Sequence, residues 1–218
     1  MRFYPSESFY GQQQPSRFEA DVYDCEVIGA IPPSIEGSLF RSGPDRQYPT
    51  MEGDVLINGD GMISAFHFEN GHVDFRSRYV RTARFLAERK ARRRLYGRYR
   101  NPVTDEPDAP PHDRDNTGNT TAFFHAGKLF ALREDSRPHR IDPETLETGP
   151  IHDFDGALQS LCLSAHPKID PVSGEWWSFG LFNRRQFDGD MALMVADRTG
   201  KLVREEEFHS PYPGLAHD

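Results

Sequence analysis

The 218-residue chain is poor in cysteine and has no long hydrophobic run. Its two cysteines, Cys25 and Cys162, show no CxxC or paired spacing, so neither a disulfide framework nor a cysteine-based zinc site is indicated. No stretch approaches the roughly 20 apolar residues of a membrane-spanning helix, and the segment after Met1 lacks the pattern of a signal peptide. We therefore expect a soluble protein of the reducing cytoplasm.

The chain also has too little positive charge for a polyanionic partner. It contains 26 Lys and Arg against 34 Asp and Glu, which gives a formal net charge of −8. A nucleic acid would meet net repulsion unless a basic patch compensated for it. The dense basic run at residues 89–94 is interpreted as a solvated helix face, with phosphate or membrane-surface contact as the minor alternative. We expect no nucleic-acid partner.

The distribution of turn residues predicts a short N-terminal arm followed by one β-rich unit. Residues 1–20 are polar and rich in glutamine, so they are expected to form an arm, whereas residues 21–218 carry short apolar runs broken by Gly, Pro, Asn and Asp. The clearest hairpin joins residues 63–68 to residues 72–75 through Asn70-Gly71, a pair that favours a type I′ turn. Strong helix formers at residues 86–96, ended by Gly97, predict one surface helix. A long loop is expected at residues 101–116.

Three similar turns predict that small antiparallel sheets repeat around an axis. The turns begin at Asp142, Asp170 and Asp197, which are 28 and 27 residues apart. Radial repetition, as in a β-propeller, explains this spacing better than a sandwich does. The fold expected from the pattern is all-β with a small helical insertion.

The histidines are the candidate metal ligands, although none of the nine forms a compact HxxxH or HxH pair. A single histidine is more often solvated or satisfied in the core than a ligand. His166 is directed by Pro167 at a strand mouth, and His217 follows 51 residues later, about one blade of a propeller. Ligands from different blades converge on the axis, and imidazole suits Fe, Zn, Cu and Ni alike. The Asn58-Gly59-Asp60-Gly61 motif lacks the other acidic positions of a calcium loop, so it is interpreted as a tight turn.

Six stretches, read in order, resemble the carotenoid cleavage oxygenase family, and especially its lignostilbene dioxygenase branch. They are IEGSLFRSGP (35–44), NGDGM (58–62), RYVRT (78–82), GRYRNP (97–102), DPETL (142–146) and AHPK (165–168). The resemblance implies an incomplete seven-bladed β-propeller with a helical cap, so that residues 21–218 are the N-terminal portion of an oxygenase domain. It also implies one non-haem Fe(II) held on the axis by four histidines, with O₂ splitting an alkene into two carbonyl fragments.

The resemblance also assigns roles to five residues of this chain. His166 is similar to the first iron ligand and His217 to the second, while the third and fourth ligands, and the glutamates that orient most of the ligands, fall beyond residue 218. Thr120 corresponds to a threonine whose methyl group crowds one open iron position, although taken alone it is an ordinary residue at a strand start. Tyr99 and Arg133 match a tyrosine and a lysine that hold the phenolic oxygen of stilbenes. Because arginine stays charged where lysine can share a proton, lysine-assisted deprotonation is not expected to carry over.

The sequence therefore predicts an Fe(II)-dependent dioxygenase that takes O₂ and an apolar aryl-alkene or polyene, with oligomerisation possible. One alternative is a propeller fragment or binding module that lacks the remaining iron ligands and is catalytically incompetent. Another is an isomerase of the same family, which moves double bonds without consuming O₂. The motifs do not separate these alternatives.

Overall fold

Period-two strands joined by tight turns build this chain into antiparallel hairpins. The computed structural model describes residues 3, 11, 14–111, 116–181, 189–212 and 217. Within these residues, twelve strands form three four-stranded antiparallel sheets, accompanied by one α-helix and two short 3₁₀ turns. We refer to the sheets as blades 1 to 3 in chain order.

Blade 1 contains the predicted hairpin. Its strands, in the spatial order β1-β4-β3-β2, are β1 (Ala20–Val22), β4 (His72–Tyr79), β3 (Asp60–Glu69) and β2 (Gly37–Asp45). The turn between β3 and β4 has positive φ angles at both Asn70 (53°) and Gly71 (80°). Two consecutive positive φ angles are what a type I′ turn requires, so the predicted hairpin is confirmed.

Blades 2 and 3 each pair their strands in chain order. Blade 2 contains β5 (Thr121–His125), β6 (Lys128–Leu132), β7 (His139–Ile141) and β8 (Thr148–Ile151). Blade 3 contains β9 (Lys168–Ile169), β10 (Trp176–Leu181), β11 (Asp190–Ala196) and β12 (Leu202–His209). Strand β2 of blade 1 lies beside β5 of blade 2. This succession of four-stranded sheets confirms the predicted propeller architecture.

The three aspartate turns are confirmed as hairpin turns. Asp142 lies between β7 and β8, Asp170 between β9 and β10, and Asp197 between β11 and β12. In each turn the aspartate Oδ1 accepts a backbone N–H two residues later, at 2.7–3.0 Å. Asp142 and Asp197 therefore occupy equivalent turns, between the third and fourth strands of blades 2 and 3. The spacing of 27 or 28 residues between successive aspartate turns corresponds to about half of one blade.

The helix differs from its prediction at both ends. Helix α1 runs from Ala83–Ala91, with the Thr82 side chain accepting the Phe85 N–H at its start. It ends at Arg92, which takes a left-handed conformation with φ 56°, whereas the sequence placed the end at Gly97. The buried Glu88 carboxylate accepts the backbone N–H groups of residues 95 and 96 at 3.0 and 3.1 Å. These bonds replace helical hydrogen bonds, so the chain leaves the helix early.

The apolar core lies between neighbouring blades. Blades 1 and 2 share one buried cluster, and blades 2 and 3 share a second one. The first consists of Ile63, Ala65, Val80, Leu129, Ala131, Ile141 and Leu146, and the second of Phe130, Leu132, Phe154, Leu158, Leu163, Ala165, Trp176, Met194 and Ala196. Each sheet therefore buries a face against its neighbour, which fixes the blades relative to one another.

The end of the predicted arm is bonded to blade 1. The backbone N–H of Ser16 donates to Asp45 at 2.8 Å, and the Glu19 carboxylate pairs with Arg81 at 2.8 Å. The division into residues 1–20 and 21–218 stays a prediction. Both cysteines lie in the described part of the chain, and neither forms a disulfide there. In that same part, no helix combines the length and apolar character needed to cross a bilayer.

His152 gives the core a dependence on pH. Its ring packs against Phe130 and Phe154, with centroids 4.9 and 4.3 Å away. Burial, followed by the nearby cations Lys128 and Arg140, lowers the pKa of His152 from 6.5 to about 4. Between these values the unfolded chain binds a proton that the folded protein does not. The stability contribution is therefore complete above pH 6.5 and is lost as the pH falls towards 4.

We predict that His152→Phe removes this part of the pH dependence, because phenylalanine keeps a ring in the cluster and has no proton to bind. Urea unfolding of the full-length protein at about pH 7 and about pH 5 measures the effect. The wild-type free energy of unfolding should fall more between the two pH values than that of the variant. Equal falls in both proteins would contradict the prediction.

Candidate metal centre

Three side chains from different parts of the fold converge at one point. Glu134 lies two residues after β6 ends, His166 lies two residues before β9 begins, and His217 follows β12. The backbone N–H of His166 donates to Ser164 Oγ at 3.0 Å, which fixes the approach to β9. Strand ends of two blades therefore place these side chains together, as radial folds commonly do.

The geometry of the cluster suits a metal ion. Glu134 Oε1 lies 3.1 Å from His166 Nε2 and 3.1 Å from His217 Nε2. The imidazole centroids are 4.8 Å apart, and the potential ligand atoms all lie within 4.8 Å of one another. Ligands held about 2.0–2.2 Å from an ion are separated by about 3–4 Å. The two oxygen–nitrogen distances of 3.1 Å fall in this range.

The Glu134 carboxylate oxygen is the observation that tests the fit. Oε1 is buried and accepts no hydrogen bond from the described residues, although both imidazoles lie within ion-pair distance. A buried carboxylate oxygen left without a hydrogen bond is costly unless another positive group satisfies it. Two imidazole nitrogens and a carboxylate oxygen are a ligand set that divalent transition metals bind. The residues present therefore fit a metal.

A second group of polar side chains surrounds Tyr99. The Arg133 guanidinium carbon lies 4.9 Å from the centroid of the Tyr99 ring, and the Tyr99 hydroxyl donates to Asp135 Oδ2 at 3.3 Å. Arg133 Nε donates to Asp135 Oδ1 at 3.1 Å, and Arg100 Nε donates to Asp135 Oδ2 at 3.0 Å. The structure therefore brings the two predicted substrate residues, Tyr99 and Arg133, into contact.

Arg133 forms more hydrogen bonds to neighbouring residues than the single ammonium group of a lysine could form. Its Nη1 donates to Ile57 O at 2.6 Å, to Thr117 Oγ1 at 2.8 Å and to Asn119 Oδ1 at 2.9 Å. The side chain is almost completely buried, and Nη2 makes no hydrogen bond of standard geometry with the described residues, although Tyr99 lies close enough to interact with the guanidinium.

The protonation states of this group follow from its surroundings. Burial and then the charge of Asp135 raise the pKa of Tyr99, so its hydroxyl stays protonated at neutral pH. Burial lowers the pKa of Arg133, but Asp135 and Tyr99 outweigh it and raise that pKa above the usual value. Arg133 therefore stays a cation and does not act as a proton acceptor.

Thr120 lies at the entrance to β5. Its backbone N–H donates to Leu132 O at 3.1 Å, and its hydroxyl donates to Asn119 Oδ1 at 3.1 Å. Asn119 in turn accepts a hydrogen bond from Arg133. Of the five predicted site residues, His166 and His217 thus meet at Glu134, whereas Tyr99, Arg133 and Thr120 are joined through a separate polar network.

Comparisons with known proteins decide the family. The family model described as "RPE65: Retinal pigment epithelial membrane protein" matches residues 13–218. The chain belongs to the RPE65 family of carotenoid oxygenases. The resemblance predicted from the six motifs is confirmed.

Individual members of the family match throughout this chain but extend well beyond it. Isoeugenol monooxygenase of Pseudomonas nitroreducens is 46% identical over 208 residues, which are 95% of this chain and 43% of that protein. The crystal structure of Pseudomonas brassicacearum lignostilbene dioxygenase superposes with a TM-score of 0.94 at 41% identity, covering 100% of this chain and 45% of that one. The structure of cobalt-substituted Synechocystis apocarotenoid oxygenase superposes with a TM-score of 0.77 at 30% identity. That match covers 94% of this chain and 44% of the oxygenase. The chain spans less than half the length of each.

Glu134 is the residue of the cluster that the sequence did not identify. The family glutamates were expected beyond residue 218, and Glu134 stood unremarked between Arg133 and Asp135. One sequence signal could have indicated Glu134, because it is an acidic residue just beyond the end of a buried strand. Strand ends of neighbouring sheets lie close together, so a side chain at such a position can reach residues from another sheet. Only the folded chain shows that His166 and His217 reach this edge.

The bonds of Arg133 lead to a prediction about stability. Arg133→Lys keeps the charge but loses the planar fork, so it should lower the free energy of unfolding by about 2–3 kcal/mol. Arg140→Lys is the control, because Arg140 is exposed on β7, and it should change stability by less than about 0.5 kcal/mol. Denaturant unfolding of the full-length protein measures both. Equal stability of the two variants would show that the network does not depend on the guanidinium.

Proposed function

We propose that the full-length protein is a non-haem Fe(II)-dependent dioxygenase that cleaves the C=C bond of a stilbene-like or apocarotenoid-like substrate. One alkene and one O₂ give two carbonyl products, and each product carries one of the two oxygen atoms. The convergence of His166 Nε2 and His217 Nε2 on the unbonded Glu134 Oε1 carries this proposal. The names of the relatives, an isoeugenol monooxygenase and a lignostilbene dioxygenase among them, support the reaction class.

The metal would be held by His166 and His217, with Glu134 beside them. The imidazoles are neutral ligands that suit Fe(II), and the carboxylate supplies negative charge that balances part of the charge of the ion. The cobalt-substituted relative supports a metal cofactor in this fold. When bound, Fe(II) supplies the one-electron chemistry that O₂ requires. The protein supplies the position of the ligands and the partial exclusion of water, since Glu134 is only 13% exposed.

The aryl end of the substrate would lie against Tyr99 and Arg133. Arg133 Nη2, which is buried and makes no hydrogen bond of standard geometry with the described residues, is suited to donate to an oxygen on the substrate ring. Because Arg133 stays charged, it can hold a phenolate, a phenol oxygen or a methoxy oxygen but cannot remove a proton. A stilbene-like substrate would therefore be held by the oxygen on its ring, without lysine-assisted deprotonation.

Thr120 would limit access to the metal on one side. It precedes β5, opposite the end of β6, and only one residue separates that strand end from Glu134. Its hydroxyl is bonded to Asn119, so its methyl group has a fixed direction. A fixed methyl group close to the metal would leave O₂ one side from which to approach.

A cytoplasmic location belongs to the same proposal and agrees with two cysteines that form no disulfide in the described chain.

Metal binding tests the proposed centre directly. His166→Ala and His217→Ala should each weaken Fe(II) binding to the full-length protein by about 100-fold or more, because each removes one ligand. Glu134→Gln keeps the shape but removes the charge, and it should weaken binding by about 10- to 100-fold. His209→Ala is the matched control, because His209 is exposed and bonded to Asp190 on blade 3.

Anaerobic titration followed by metal analysis of the protein separates these outcomes. The control should bind like the wild type. If His166→Ala and His217→Ala retain wild-type affinity, the proposed metal centre is wrong, whatever the activity of the protein.

Alkene cleavage tests the proposed reaction. The Fe(II)-loaded full-length protein should convert resveratrol or another hydroxylated stilbene into paired aldehydes and consume one O₂ for each alkene. Product analysis together with an oxygen electrode measures the ratio. A double-bond isomer formed without O₂ uptake would identify an isomerase instead, and no reaction with any stilbene or apocarotenoid would refute the dioxygenase.

A further inference from the structure

The Asn58-Gly59-Asp60-Gly61 motif has no role in the proposed reaction, but it lies where blade 1 contacts the segment that leads into blade 2. Asn58 ends a 3₁₀ turn (Leu56–Asn58), Gly59 caps it, and Asp60 and Gly61 begin β3. Two backbone carbonyls of this turn face blade 2. Ile57 O accepts hydrogen bonds from Asn119 Nδ2 at 2.9 Å and from Arg133 Nη1 at 2.6 Å, and Gly59 O accepts one from Asn119 Nδ2 at 2.7 Å.

Gly61 allows the segment that leads into blade 2 to come this close, and Gly59 allows close packing within blade 1. A Cβ atom added to Gly61 would lie 2.4 Å from Thr117 O, and one added to Gly59 would lie 2.7 Å from Pro44 Cβ. The Gly61 N–H donates to the same Thr117 carbonyl at 2.9 Å. A side chain at Gly61 would push away the segment that leads into blade 2, and a side chain at Gly59 would clash with β2 within blade 1.

The other side of the turn holds the segment that carries Tyr99. Asn58 Nδ2 donates to Gly97 O and to Asp54, each at 2.9 Å. Asp54 Oδ1 accepts the backbone N–H of Tyr99 at 3.2 Å. The turn therefore connects Tyr99 on one side with Arg133 and Asn119 on the other.

Asn119 is the side chain that closes this network. It is 3% exposed, and its amide is fully used. The NH₂ group donates to both turn carbonyls, and Oδ1 accepts from Arg133 Nη1 at 2.9 Å and from the Thr120 hydroxyl at 3.1 Å. A buried amide with every group satisfied is rigid, because any rotation leaves several polar atoms unpaired.

We infer that Asn119 is a positioning residue, which sets the rotamer of Thr120 and the place of Arg133 beneath the Tyr99 ring. The roles of those three residues rest on the proposed function, but their dependence on Asn119 rests on the hydrogen bonds alone. Without the Asn119 amide, the Thr120 hydroxyl loses its acceptor and its methyl group can turn. Arg133 loses one of the three partners of Nη1.

Asn119→Ala is the test, with Asn116→Ala as the matched control. Asn116 is also buried and lies three residues earlier, but its amide donates to Arg137 O, outside this network. Methyl NMR of the full-length protein labelled at threonine reports the Thr120 rotamer without metal or substrate, and Thr120→Val identifies the resonance. We expect the Thr120 methyl resonance to shift or broaden in Asn119→Ala and to stay in place in Asn116→Ala.

Substrate binding is the second readout. Binding of 4-hydroxybibenzyl, which has no alkene to cleave, should weaken by about 10-fold in Asn119→Ala, because a buried bond to Arg133 is lost. The KM for a hydroxylated stilbene should rise by the same factor, and Asn116→Ala should change neither. A purely structural role would lower the melting temperature and leave KM and analogue binding unchanged.

The outcomes separate this inference from the proposed function. If the wild type cleaves no alkene but the Thr120 resonance still responds to Asn119→Ala alone, the dioxygenase fails and the positioning role stands. If Asn119→Ala does not fold, Asn119→Ser decides the matter, since the shorter side chain no longer places an acceptor where Oδ1 meets Arg133 Nη1 and the Thr120 hydroxyl, and it should weaken analogue binding by at least about 3-fold. A folded Asn119 variant with wild-type methyl resonance and analogue binding overturns the inference.

Discussion

A buried guanidinium, together with the Asn119 amide, holds the junction of blades 1 and 2 through directional hydrogen bonds. Arg133 Nη1 donates to a turn of blade 1 at Ile57 O and to Thr117 and Asn119 at the entrance to blade 2. The apolar cluster between these blades lies on strands and sets their separation, but apolar contacts carry little directional information. Hydrogen bonds from a rigid planar group supply the missing direction. Tyr99 and Thr120 both take their positions from this junction.

The polar junction continues into a set of charges beneath helix α1. Arg46 pairs with Asp54, and Arg84 Nη1 donates to Asn58 Oδ1 at 2.7 Å. Burial raises the pKa of Asp60 to about 6, although Arg84 acts in the opposite direction. Burying so many charges costs stability unless each charge is paired. Their value in this protein is geometric, because they fix the turn that holds the Tyr99 segment.

The cluster around Glu134 is built on a different principle. Its three side chains come from strand ends of blade 2 and blade 3 and from the segment after β12, and they meet only because the blades lie side by side. In the hydrogen-bonded junction the Asn119 amide has a partner for each of its polar atoms, whereas Glu134 Oε1 remains unsatisfied by the described residues. The junction therefore holds its side chains through hydrogen bonds within the protein, and the Glu134 cluster is suited to an ion. The two regions are adjacent in sequence at Arg133 and Glu134.

The sequence by itself determined the strands, the Asn70-Gly71 hairpin and the aspartate turns, because these depend on local backbone preferences and period-two patterns. It also carried enough ordered motifs to identify the family. It misplaced the end of helix α1, because the Leu95 and Tyr96 N–H groups that donate to Glu88 belong to a loop whose position only the folded chain sets. Only the tertiary structure placed Glu134 between His166 and His217 and showed what Asn119 bonds. Contacts of this kind depend on how whole blades are placed relative to one another. That placement is set by the burial of the sheet faces, and no local sequence pattern predicts it.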